Sequence, residues 1–349
     1  MIGGFDFSLK GSRIDYRFTV HRKITKIIGN SATGKTVLCD AVYNSQNKRS
    51  GLEIFCKYEC LNIDEVYTRV LHQDIQALSS RFSNRKGQDF QLAIREMLDR
   101  YDNILFFCDE TFRFLSTTEF AMFCKYTDSF FVICSRDKLE QIPYSYKEIY
   151  TIKSSGKFHT LERAYHDKCS INCSVNEFDK LKILLEDSKS GFQFYSKYNS
   201  NVDTSRGKSN LVKCLYKDKY DLVIADGAAI GSNISELITY PVQIFLPESF
   251  EYMLLNSSMF EDSTLRERLK NTELYANGLY FSWEVYYTIL LQEFTKDTRA
   301  FYTKAKLSNC FYEPCCSEQE CPLNKVYNKF EDIMGKYFEK LSYLDFDKF

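Results

Sequence analysis

The chain has 349 residues, 44% of them apolar and 27% charged, with a net charge of −1. That balance suits a globular protein of two domains and excludes collagenous, low-complexity and globally basic classes, so any nucleic-acid groove must be local. No stretch approaches the ~20 apolar residues of a membrane span, and residues 1–5 lack the basic and apolar pattern of a leader. A cytoplasmic protein with its 13 cysteines reduced is therefore expected, with no membrane partner.

In chain order, residues 24–28 (ITKII) predict a strand, and residues 37–42 (VLCDAV) predict a helix. Between them lies G-N-S-A-T-G-K-T: Gly29, Asn30, Ser31, Ala32, Thr33, Gly34, Lys35 and Thr36. This is a complete match to the phosphate loop G-x-x-x-x-G-K-[ST], in the strand–loop–helix setting the motif requires. Backbone amides at a helix start cradle phosphate oxygens. Lys35 is expected to reach the β- and γ-phosphates of ATP, and the Thr36 hydroxyl to bind Mg²⁺.

Residues 52–56 read as a strand, and residues 64–78 and 88–101 as helices. Residues 103–110, N-I-L-F-F-C-D-E, form an apolar run closed by two acids, as in a central parallel strand. Asp109 is expected to hold Mg²⁺ through water, and Glu110 to polarise the attacking water. A short helix over 116–125 and a strand over 130–134 follow, ending in Ser135 and Arg136. Either could sense the γ-phosphate, or both are an ordinary polar strand end.

The paired motifs resemble the P-loop ATPases, with residues 29–36 as Walker A and 104–110 as Walker B, over roughly the first 150 residues. The family often completes its site with an arginine from a neighbour, which implies a homo-oligomer or a partner protein. Arg113 and Arg136 are the candidates for such an arginine in this chain. The segment 78–88, just before the second motif, is similar in placement to the signature region of ABC-type ATPases but lacks its glycine pair; a basic solvated loop is the alternative reading.

A Ser/Gly/Lys cluster over 153–157 marks a boundary, giving domains over 1–152 and 153–260 and a helical region over 261–349. In the second domain, strands over 181–185, 221–225 and 241–246 end at Glu186-Asp187, Asp226 and Glu248. In a parallel sheet these ends share one edge, and clustered carboxylates suit a divalent cation. The order is similar to TOPRIM domains, with Glu186 as the first acid and Asp226 as the leading acid of the pair. The pair's second acid is Ala228 here, so Glu248 or Asp187 is the candidate replacement ligand. A P-loop ATPase joined to a TOPRIM-like unit resembles the OLD family of ATP-dependent nucleases. That likeness implies a metal-dependent domain directed at DNA or RNA, in defence against mobile elements, with Glu186 and Asp226 catalytic alongside Lys35 and Glu110. The alternative is a non-nucleolytic, ATP-dependent switch.

Arg206-Gly207-Lys208-Ser209 lacks the first glycine of a phosphate loop and predicts no second nucleotide site. Cys310, Cys315, Cys316 and Cys321 fall close enough to hold one Zn²⁺, with Cys169 and Cys173 as further candidates and a reduced turn as the alternative. Residues 327–344 predict an amphipathic helix. The fold class expected throughout is α/β: a mostly parallel sheet, a second smaller α/β domain, and a helical, Cys-rich end.

Overall fold

A computed structural model describes the chain except residues 31–32, 48, 72–88, 170–174, 258, 313–343 and 347–349. The predicted helix over 327–344 up to residue 343, the signature-like segment and Cys173, Cys315, Cys316 and Cys321 lie outside the described residues, and Leu344 itself opens a strand. The chain is α/β and divides into two units. One comprises residues 1–144, 148–164 and 273–281, and the other comprises 145–147, 165–272 and 282–349.

The first unit is built on a nine-stranded mixed sheet. Its strands are β1 (Phe5–Lys10), β2 (Asp15–Val20), β3 (Ile24–Ile27), β4 (Glu53–Cys56), β5 (Glu59–Asn62), β6 (Ile104–Asp109), β7 (Phe130–Cys134), β8 (Ile149–Ser155) and β9 (Phe158–Arg163). Their order is β4-β1-β2-β9-β8-β3-β7-β6-β5. From β5 to β8 the neighbours are all parallel. The crossovers carry α1 (Lys35–Ser45), α2 (Ile63–Val70), α3 (Asp89–Arg100) and α4 (Thr118–Tyr126). β6 and β7 are buried at every residue, which explains their unbroken apolar sequence. Phe106 stacks on Phe131 at 5.4 Å between ring centroids and meets Phe123 edge-on. Truncating such a ring costs ~3–5 kcal/mol.

The Ser/Gly/Lys cluster over 153–157 supplies the end of β8 and the two-residue turn of the β8–β9 hairpin, with Gly156 at φ 61°. The first unit runs on to Ala164.

The second unit holds a four-stranded, all-parallel sheet of β11 (Ile183–Leu185), β12 (Val202–Thr204), β13 (Leu222–Ile224) and β14 (Gln243–Phe245), in the order β12-β11-β13-β14. A two-stranded pair joins β10 (Asp167–Cys169) to β15 (Leu344–Phe346). Its helices are α5 (Ser190–Tyr198), α6 (Lys208–Lys217), α7 (Gly231–Leu237), α8 (Phe250–Asn256) and α9 (Ser263–Lys270), then α10 (Thr272–Tyr275), where the chain passes into the first unit, and α11 (Trp283–Thr295). α11 packs on α8. No helix among the described residues is long and apolar enough to cross a membrane.

Candidate functional site

In a run of parallel strands the carboxyl ends share one edge. That edge of the first unit collects the loop after β3, Asn62 at the end of β5, Asp109 and Glu110 at β6, and Ser135 and Arg136 after β7. β7 lies between the strand that feeds the glycine-bounded loop and the strand that ends in Asp109.

The loop enters α1 through Gly34, which sits at φ 91° as the helix cap. Only glycine adopts this without strain, and a Cβ there would come within 3.1 Å of the Tyr16 hydroxyl. With glycine at the cap, no side chain accepts from the first-turn amides. Helix-start amides of this kind face outward as anion donors. Lys35 is buried, and its Nζ donates to the carbonyls of Gly29 at 2.6 Å and Asn30 at 3.1 Å. Thr33 Oγ1 also donates to the Asn30 carbonyl. Ser31 and Ala32 lie outside the described residues.

A cleft of about 480 Å³ opens beside the loop. Thr36 and Asp40 on α1, Asp64 on α2 and Asp109 line it. Asn62 fixes the α2 side: its side chain accepts from the Asp64 amide at 2.9 Å and donates to the Cys39 carbonyl at 3.2 Å, tying the start of α2 to α1. Asp109 is 4% exposed. Its Oδ1 accepts from the Thr111 amide at 3.0 Å, while the buried Oδ2 has no hydrogen-bond partner. Burial, then the Asp109 carboxylate, raises both Asp40 and Asp64 from the ordinary aspartate value. Asp109, whose Oδ2 is buried and unpartnered, and Thr36 line the same cleft.

Glu110 is turned to Arg136, whose Nε and Nη2 each lie 3.3 Å from one of its oxygens. Ser135 is buried at the end of β7; its amide donates to the Ile27 carbonyl and its hydroxyl accepts from the Asp137 amide. Arg113 lies over the Phe114 ring at 4.6 Å.

In the second unit, Glu186 and Asp226 come together, with the Asp226 amide donating to Glu186 Oε2 at 3.1 Å. They line a cavity of about 180 Å³ with Glu251, Glu284, Arg206 and Lys304. Glu251 is 2% exposed and accepts from the Tyr302 hydroxyl at 2.8 Å and the Thr288 hydroxyl at 3.1 Å. Lys304 pairs with Glu284 and lies 3.8 Å from Glu251. Burial, then the charge of Glu284, pushes Glu186 up to about 7; the same two causes raise Asp226. Asp187 lines the cavity but spends both oxygens on the amides of Lys189 and Gly191 at the start of α5.

Glu248 is placed elsewhere. Its carboxylate pairs with Lys147 at 2.8 Å and does not line the cavity, because the chain turns after β14 so that Glu251, on α8, faces inward instead. Lys208 donates to the Ala229 carbonyl, and Arg206 reaches the cavity from a backbone at φ 59°. Among the described residues, no three His, Cys, Asp or Glu side chains are grouped to hold a metal ion directly. Cys310 is half-buried. Glu251, Glu284 and Lys304 were not singled out from sequence: they lie on helices or in a loop, with no strand end to flag them.

No protein-family model, curated protein or solved structure matches this chain.

Proposed function

We propose that the first unit is a P-loop ATPase domain that binds ATP with Mg²⁺ and hydrolyses it. The observation that carries this reading is one cleft lined both by Thr36, in the first turn of the Gly34-capped helix, and by Asp109 at the end of β6. Thr36 and Asp109 are the residues that would hold Mg²⁺, which supplies charge neutralisation at the β- and γ-phosphates. Lys35 exchanges the Gly29 and Asn30 carbonyls for phosphate oxygens. Glu110, released from Arg136, accepts a proton from the attacking water. Ser135 reads best as a turn-former. The test is Mg²⁺-dependent ATP turnover by the purified chain: Glu110→Gln should keep ATP binding and lose turnover. Equal turnover in wild type and Glu110→Gln removes Glu110 from the role.

For the second unit we propose a TOPRIM-like, nucleic-acid-directed domain gated by nucleotide state. Glu186 and Asp226 offer two carboxylates to a divalent cation, leaving further positions to water and a DNA or RNA phosphate. Cleavage with Mn²⁺ that is lost in Glu186→Ala supports this; a wild type that never cuts DNA or RNA refutes it. One observation favours the non-nucleolytic switch as a second reading. Lys304 pairs with Glu284 and lies near Glu251, so the cavity carries part of its own counter-charge. Zn²⁺ held by Cys310, Cys315, Cys316 and Cys321 is a further proposal, tested by metal analysis with and without chelator.

A further inference from the structure

Two cysteines flank the connection that carries the chain from one edge of the nine-stranded sheet to the other. β4 is the outermost strand on one side and β5 on the other, yet Lys57 and Tyr58 alone separate them in sequence. Cys56 closes β4, where it pairs with Phe7 of β1, and Cys60 is the second residue of β5. Both backbones are fixed: Cys56 lies in the ladder, and the Cys60 carbonyl accepts from Gln46 Nε2 at 3.1 Å. Cys60 belongs to the core at 4% exposure, while Cys56 packs against that same core and stays half-buried. The Cys60 thiol folds back over the connection, where it donates to the Tyr58 carbonyl at 3.4 Å and hydrogen-bonds to Cys56.

The two sulfurs are chemically unequal. The hydrogen bond from Cys60, helped by backbone hydrogen bonds at Tyr58 and Lys57, brings Cys56 down to about 7 against the opposing effect of burial. The thiolate is the nucleophile of cysteine chemistry, so Cys56 is the reactive member. Its partner in that hydrogen bond, Cys60, is pushed up by the bond and by burial and remains a thiol. Burial also pushes the thiols of Cys108 and Cys124 up, which makes them inert. A partly accessible thiolate beside a second, resolving cysteine is the arrangement that converts an oxidised sulfur into a disulfide.

We infer that Cys56 and Cys60 form a thiol pair oxidised by hydrogen peroxide, with Cys56 the attacking sulfur and Cys60 the resolving one. The Cys56 thiolate attacks one peroxide oxygen: an S–O bond forms, the O–O bond breaks and hydroxide leaves, giving a sulfenic acid. The Cys60 sulfur then attacks the Cys56 sulfur: an S–S bond forms, the S–O bond breaks, and the departing hydroxyl takes the Cys60 proton and leaves as water. Two electrons pass from the two sulfurs to one peroxide. The resulting bond fastens the end of β4 to the start of β5, and its chemistry is independent of nucleotide.

The experiment exposes the reduced full-length chain, freed of reductant, to hydrogen peroxide at pH 7. Its thiols are then mapped by differential alkylation and peptide mass spectrometry. Cleavage after Lys57 separates the two sulfurs, so the bond is read as a linked pair of peptides. Wild type should give the Cys56–Cys60 bond, with no oxygen gained, and dithiothreitol should return both thiols. Cys60→Ala should leave a Cys56 sulfenic acid that dimedone captures. It should also slow the first step by ~3-fold at pH 7, because the loss of thiolate is partly offset by a stronger nucleophile. Cys56→Ser should leave Cys60 unmodified. The wild-type map decides the matter even where Cys60→Ala does not fold. The pair is overturned if Cys56 stays reduced, joins a different cysteine, or advances to sulfinic acid while Cys60 remains free.

Discussion

The guanidinium of Arg136 faces the carboxylate of Glu110 through two nitrogens, each 3.3 Å from a carboxylate oxygen. Both side chains are partly exposed, so the pair contributes under ~1 kcal/mol to stability. Its consequence is directional. Glu110 is held toward the end of β7.

We therefore expect Arg136→Ala to leave the melting temperature unchanged and raise basal ATP turnover a few-fold, because Glu110 is freed to reach water. Steady-state turnover checks this. A fall as deep as that of Glu110→Gln would instead place Arg136 on the phosphates.

The second unit's cavity makes stability depend on pH. Desolvation and Glu284 push Glu186 up to about 7, from an ordinary value near 4.5; Asp187 adds to this, while the hydrogen bond from the Asp226 amide and the charge of Lys208 act in the opposite direction. The unfolded chain then releases this proton before the folded one does. The stability Glu186 contributes is present below about 4.5 and is lost as pH rises through about 7. In chelator, Glu186→Gln should gain on wild type between pH 5 and 7.5, by on the order of 1–2 kcal/mol after discounting for the solvent that reaches this half-buried group. Urea denaturation at the two pH values measures it. An equal difference at both would mean that Glu186 ionises normally.

Glu248 and Glu251 should separate cleanly. Glu248→Ala breaks the Lys147 pair, away from the cavity, and should leave Mn²⁺ binding by the second unit unchanged. Glu251→Gln alters a cavity wall and should change that binding, while Tyr302 and Thr288 still find an oxygen acceptor. Calorimetric titration with Mn²⁺ decides between them; the reverse pattern would restore Glu248 as the ligand.

Gly34→Ala tests the loop geometry. A φ of 91° costs a residue with a Cβ ~1–2 kcal/mol, and the new carbon would press on the Tyr16 hydroxyl. ATP affinity should drop at least ~10-fold. Adding Tyr16→Phe should recover little, because the φ strain remains. Full recovery would make the crowding, and not the backbone, the constraint.

Much of this edge was legible in the sequence because its signals are local. The apolar run over 104–108 could only be a strand buried on both faces, and β6 spans Ile104–Asp109. The loop glycines announce their backbone angles, with Gly29 at φ 141° and Gly34 at φ 91°. β12 was not foreseen: Val202–Thr204 is three residues long, with one exposed, too short for any period to register. The 153–157 cluster reads identically as a linker or a hairpin turn, since both need the same residues. Asp64, Asp40, Glu251 and Glu284 were invisible as site residues because they sit on helices, where an acid reads as solvated surface. Only the folded chain brings them to a cleft.

The most direct measurement is calorimetric titration of Mg²⁺ and ATP into wild type and Lys35→Ala. Wild type should take up one ATP per chain, and Lys35→Ala should give no saturable binding. Undiminished binding in Lys35→Ala, or none in wild type, would contradict the claim that the loop over 29–36 holds a triphosphate.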